Sequence, residues 1–134
     1  MIAPAGMDNE RLGVLIREAS TSILEERLGF WKFEIDSAVV FVITDETHNR
    51  MRIMTPVAEV DSISGEQSQI LLAANFDRAL DARYCLNDSV IWSAYLHPLR
   101  ELLSSQFLGA LSQVVTLSKN FGSSYTSTDI VFGG

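Results

Sequence analysis

The sequence predicts an α+β fold in which helices cover an antiparallel five-stranded sheet, in the order α-β-β-β-α-β-β-α. Three observations predict it. Apolar residues recur at helical spacing near the N-terminus and again near the C-terminus. Between them lie short runs with a period of two or with continuous β-branched character. Capping and turn signals separate these runs.

The first helix is expected over Asp8 to Leu28, where Leu12, Leu15, Ile16, Ala19, Ile23 and Leu24 make one stripe. Asp8 suits the N-cap, and Gly29 suits the residue past the C-terminal end, where a left-handed conformation is needed. Trp31, Phe33 and Ile35 then alternate with Lys32, Glu34 and Asp36, the pattern of a strand with one wet face. Ala38 to Ile43 is apolar throughout and rich in β-branched residues, which predicts a central strand covered on both faces. Thr44 to Arg50 reads as a loop and Met51 to Val60 as a third strand. Pro56 removes one ladder donor from it, so a sheet edge or a bulge is expected there.

Ser64 and Gln67 form a capping box, placing a helix start near Gly65, with Ile70, Leu71, Ala74 and Phe76 candidates for its inward face. Arg83 to Leu86 and Val90 to Leu96 are strands around Asn87-Asp88-Ser89, residues that tolerate the positive backbone angles of a tight hairpin. His97-Pro98 ends the second strand. In that strand Val90, Trp92 and Ala94 share a face, which is expected to be buried. The last helix, about Ser104 to Asn120, turns Phe107, Leu108, Leu111, Val114, Val115 and Leu117 inward.

At 134 residues the chain is long enough for one domain. The expected core spans residues 8 to 121, and 122 to 134 read as a loose tail. Apolar residues make up 47% and charged residues 20%, so folding needs neither metal nor disulfide staples. The net charge of −7 repels a phosphate backbone, and the eight arginines are scattered along the sequence. Nucleic acid is therefore not an expected ligand. The lone cysteine, Cys85, has no disulfide partner and reads as a small buried hydrophobe in a reducing, cytoplasmic setting. Residues 1 to 6 have the features of neither a signal peptide nor an anchor. The longest apolar run, Ala38 to Ile43, is far short of the ~20 residues a membrane span requires.

No residue cluster announces a reaction. Asp45, Glu46 and His48 are close in sequence, but a metal site needs converging ligands, and a hydrated turn is the better reading. His97 beside Pro98 reads as structural. Two histidines and one cysteine without a pairing pattern support no nucleophile, and no glycine-rich phosphate loop is present. Asn87-Asp88-Ser89 matches a glycosylation acceptor but is better read as the turn. Catalytic, cofactor-binding and metal sites are accordingly expected to be none.

The segment Leu72 to Leu99 resembles the YbjN-like family. The likeness is carried by Ala74-Asn75-Phe76, Ala82-Arg83-Tyr84, Trp92 and Pro98-Leu99, and element order extends it over Asp8 to Phe121. The resemblance implies the fold of type III secretion chaperones, a homodimer, and a role in binding or regulating other proteins without catalysis. The polar tail departs from the family pattern. A chaperone-like or regulatory module with an unidentified protein partner is thus expected. A small-ligand sensor with a pocket between sheet and helices is the alternative. The doubly apolar run Ala38 to Ile43 asks for cover that a second copy or a bound peptide would supply.

Overall fold

The structure is a computed structural model that describes residues 6–77, 79–122, 125 and 127. Its elements are α1 (Asn9–Ala19), β1 (Ser22–Arg27), β2 (Phe30–Ile35), β3 (Ala38–Asp45), β4 (Arg50–Glu59), α2 (Gly65–Asp77), β5 (Arg83–Asn87), β6 (Val90–His97) and α3 (Ser104–Lys119). A short 3-10 turn, Val60–Ser62, links β4 to α2. The six strands form one antiparallel sheet in the order β1-β2-β3-β4-β6-β5.

The sheet has six strands rather than five because the expected first helix stops at Ala19. Asp8 caps it as foreseen, its carboxylate accepting from the Arg11 N–H at 2.9 Å. Ser20 is extended, and Thr21 donates both its N–H and its hydroxyl to the Glu34 carbonyl, each at 2.8 Å. Residues 22–27 then pair with β2. Local helical periodicity loses here to long-range ladder bonds, because this strand is exposed at every position and carries no burial pattern to declare it. Gly29 (φ +76°) serves the β1–β2 turn instead of closing a helix.

Other signals match their structures. The hairpin expected at Asn87-Asp88-Ser89 turns on Asp88-Ser89, both at positive φ, and a second such turn, not expected, is made by Asp36-Ser37 between β2 and β3. The pairing shifts between Pro56 and Ala58, so Pro56 marks a bulge, and β4 lies inside the sheet rather than at its edge. Ser64 and Gln67 exchange the two capping-box bonds at 3.0 and 3.1 Å.

One sheet face builds the core. Trp31, Phe33, Val40, Val42, Met51, Ile53, Tyr84 and Ile91 point to it and meet Leu12, Ile16, Leu71, Ala74 and the α3 residues Phe107, Leu111, Val114 and Leu117. α3 packs across β4 and β6, and the buried Ser93 hydroxyl donates to the Val114 carbonyl at 2.9 Å. Three inward assignments are corrected. Ile70, Phe76 and Leu108 are exposed, since Leu71 and Ala74 set the inward stripe of α2 and Phe107, Ala110, Leu111 and Val114 that of α3. Of the expected tail, Gly122, Tyr125 and Ser127 are described; Gly122 is exposed, and Tyr125 and Ser127 are buried. Tyr125 packs edge-on against Tyr84 and Phe121, and the Ser127 hydroxyl accepts from the Leu80 N–H at 2.7 Å. The remainder of the tail lies outside the described residues.

Candidate protein-binding surfaces

The second sheet face carries no described helix. Strand alternation and register place Phe30, Phe41, Trp92, Val39 and Met54 on it, and none of these belongs to the core cluster. Phe41 is central: its ring meets Phe30 at 6.1 Å and Trp92 at 5.9 Å, both edge to face. All three rings are half-buried. The face shared by Val90, Trp92 and Ala94 is therefore the open one; Val90 and Trp92 are only half-buried there, Ala94 is buried as expected, and Ile91 and Ser93 supply the β6 contribution to the core. For Ala38 to Ile43 the same holds: Val40 and Val42 are buried while Val39, Phe41 and Ile43 face the open side, so only one face is covered.

Charges frame these rings. The Arg27 guanidinium sits 4.1 Å from the Phe30 centroid, and the Lys32 ammonium 5.6 Å from that of Phe41. Arg27 also pairs with Glu25 at 2.7 Å. Lys32 and Arg52 make no ion pair among the described residues. Cys85, cross-strand from Trp92, is exposed at this surface. Cys85 is therefore not the buried hydrophobe the sequence suggests; partial desolvation of its thiol still raises the pKa, offset in part by Arg52.

The two sheet edges differ. At β5, the Asn75 side chain from α2 accepts from the Tyr84 N–H at 2.8 Å and donates to the Tyr84 carbonyl at 3.0 Å, replacing a neighbouring strand. Just before β5, the Gln113 side chain accepts the Asp81 and Ala82 N–H groups at 2.7 and 3.1 Å. At β1 a register shift between Ile23 and Glu25 and the run Glu25-Glu26-Arg27 blunt the edge.

A third surface is the outer side of α2. Leu72 and Phe76, one turn apart, are 70% and 90% exposed. Across the whole helix the only charged residues are Glu66 and Asp77, at its two ends. Beside it lies an apolar cleft of about 230 Å³ lined by Val60, Ile63, Leu71, Leu72, Tyr84 and Ile91. The Tyr84 hydroxyl donates to the Leu117 carbonyl at 2.7 Å, and burial pushes its pKa far up, with Tyr125 adding to the rise.

The histidines fall elsewhere. His48 Nδ1 lies 2.8 Å from the Asp45 carboxylate in an exposed turn, and this bond holds Asp45 below the usual carboxylate range. His97 stacks on Tyr95 at 5.9 Å, with Nδ1 at 2.8 Å from the Pro98 carbonyl. Among the described residues no three His, Cys, Asp or Glu side chains gather as a metal site. No described helix is long and apolar enough to cross a membrane.

The fold is similar to that of three solved structures. A chain of the HopA1–SchA chaperone–effector complex superposes with a TM-score of 0.63 at 12% identity, covering 83% of this chain and 89% of that one. A chain from the Yersinia pestis type III secretion chaperone SycH in complex with a stable fragment of YscM2 gives 0.62 at 17%, covering 84% and 98%. The fold is that of a type III secretion chaperone. A chain of the ExsC–ExsE complex agrees, with a TM-score of 0.61 at 14% identity over 84% and 92%. No family model matches the sequence, and no curated protein matches it. At such identities the chaperone-like likeness is one of fold.

The surfaces that sequence reasoning missed had a weak signal. Phe30 has the parity of Lys32 and Glu34, so a consistent alternation already placed it on the wet side of β2, whereas Phe41 lies in an all-apolar run and is put on that side only by its pairing with Lys32. Their size suggested core instead, since large aromatic residues are usually buried.

Proposed function

We propose that this chain is a non-catalytic, chaperone-like protein-binding module that acts as a homodimer in the cytoplasm and holds a polypeptide partner on its open sheet face. One observation carries the reading: three contiguous aromatic rings stand on a sheet face that no described helix covers, while the core cluster lies on the other side. An uncovered aromatic patch of this kind marks a binding surface. Both sheet edges are blunted, which favours a partner lying across the face over one adding a strand. The chaperone fold and the YbjN-like resemblance of Leu72 to Leu99 support the same role.

The outer side of α2 suits the dimer contact. Like-charged chains of −7 meet at lowest cost through a patch without charge, and Leu72 and Phe76 provide one that is self-complementary about a two-fold axis. The cleft beside α2 favours the second reading, a small apolar ligand held between helix and sheet.

The test is recovery of a polypeptide from the native cytoplasm by the wild-type chain and by Phe41→Ser/Trp92→Ser, with circular dichroism checking that the variant is folded. The reading expects a partner that the wild type retains and the variant loses. Equal recovery by both removes the open face as the site. A small molecule seen by native mass spectrometry, with no polypeptide partner, favours the ligand sensor.

A further inference from the structure

The open face differs from the rest of the molecule in charge. Register places Arg27, Lys32, Arg50, Arg52 and Arg83 on it, five of the chain's ten basic residues. Among the described residues, the acidic side chains that stand there are Glu25, Glu34, Asp45 and Glu59. The described residues of this face thus sum to +1 in a chain of net −7.

The local arrangement sharpens the contrast. Asp45 is engaged with His48, and Glu25 with Arg27. Lys32 and Arg52, on β2 and β4 either side of Phe41, have no acidic partner among the described residues. Lys32 is half-buried against the Phe41 ring, so its ammonium is held at the apolar centre rather than free at a rim. An acidic group brought beside it by a ligand meets a cation that is already positioned and partly desolvated.

Resting on the protein-binding reading above, we infer that the occupant of the open face is a polypeptide segment that combines apolar anchors with acidic side chains, the anchors lying on Phe30, Phe41 and Trp92 and the carboxylates on Lys32 and Arg52. A second copy of the same face is disfavoured, because an isologous contact sets cations against cations. A nucleic acid is disfavoured too. The rings meet edge to face rather than lying as parallel platforms, four carboxylates share the surface, and the overall charge repels phosphates.

Fluorescently labelled peptides of repeating Leu-Glu-Phe-Glu, Leu-Ser-Phe-Ser and Leu-Lys-Phe-Lys, titrated with the full chain and followed by anisotropy, test the inference. At low salt the glutamate peptide should bind roughly tenfold tighter than the serine peptide, the scale expected of a few exposed ion pairs. Added salt should shrink that preference. Lys32→Gln/Arg52→Gln should abolish it while keeping serine-peptide binding, and Lys32→Glu/Arg52→Glu should turn it toward the lysine peptide. Equal binding of glutamate and serine peptides, tighter binding of the lysine peptide, or competition by oligothymidylate overturns the charge inference alone. Should no peptide bind, or should Phe41→Ser leave all binding intact, the open face as a protein-binding site falls with it.

Discussion

Phe41 and Trp92 meet edge to face, with ring centroids 5.9 Å apart and planes at 76°, on the side of the sheet opposite every buried helix contact. The pair joins β3 and β6 across β4, so it braces the sheet as well as exposing aromatic surface. Trp92 lacks the full enclosure that makes truncation of a core tryptophan cost about 3–5 kcal/mol. Trp92→Ala should instead cost about 1–2 kcal/mol, from partial burial and the aromatic pair. Thermal denaturation should show a drop of several degrees with the circular dichroism spectrum retained. Failure to fold would return Trp92 to the core.

Asn75 stands in for a missing strand beside Tyr84. Asn75→Ala should leave the Tyr84 N–H and carbonyl without their protein partner, a loss of about 1–3 kcal/mol. It should also open the β5 edge to pairing with other chains. Urea denaturation and light scattering together check both effects, and Asn75→Asp, which keeps only the acceptor, should fall between.

Tyr84 links the sheet to the end of α3 through its hydroxyl. Tyr84→Phe should cost about 1 kcal/mol at neutral pH by leaving the Leu117 carbonyl unpaired. The alkaline behaviour should change as well. Because the folded pKa is raised above the ordinary value of 10.0, the folded chain holds this proton more tightly than the unfolded one. Its contribution is fully present below pH 10 and is lost as the pH rises from there. The stability of the wild type should therefore fall more steeply above pH 10 than that of Tyr84→Phe, read as denaturation midpoints across that range.

Phe76, at 90% exposure, contributes little to the fold of a single chain. Phe76→Asp should change unfolding free energy by no more than about 0.5 kcal/mol, as surface substitutions commonly do. If α2 makes the dimer, the same change should convert the protein to monomer in light scattering at tens of micromolar, by burying like charges against each other about the two-fold axis. A variant that remains dimeric moves the contact away from α2.

Tyr125 tests the boundary of the folded core. It is buried against Tyr84 and Phe121 although it follows Gly122. Tyr125→Ala should cost about 2–3 kcal/mol, below the full cost of an enclosed aromatic residue. An unchanged melting temperature would return residues beyond Gly122 to a dispensable tail.

The sequence by itself determined the elements whose signals are local. Asp8 caps α1 and the Ser64–Gln67 box starts α2, because these side chains bond backbone groups three residues away and need no distant partner. The hairpin turn at Asp88-Ser89 and the bulge at Pro56 were legible for the same reason: each follows from the backbone chemistry of the residues themselves. Tertiary structure alone decided that residues 22–27 form a strand, since their stabilising bonds come from β2 and every side chain is exposed. It also decided which face of β3 and β6 is covered. Val39, Phe41 and Trp92 are as apolar as Val40, Val42 and Ile91, so composition does not separate the two sides. The separation comes from where α3 packs, and with it the aromatic surface proposed as the binding site.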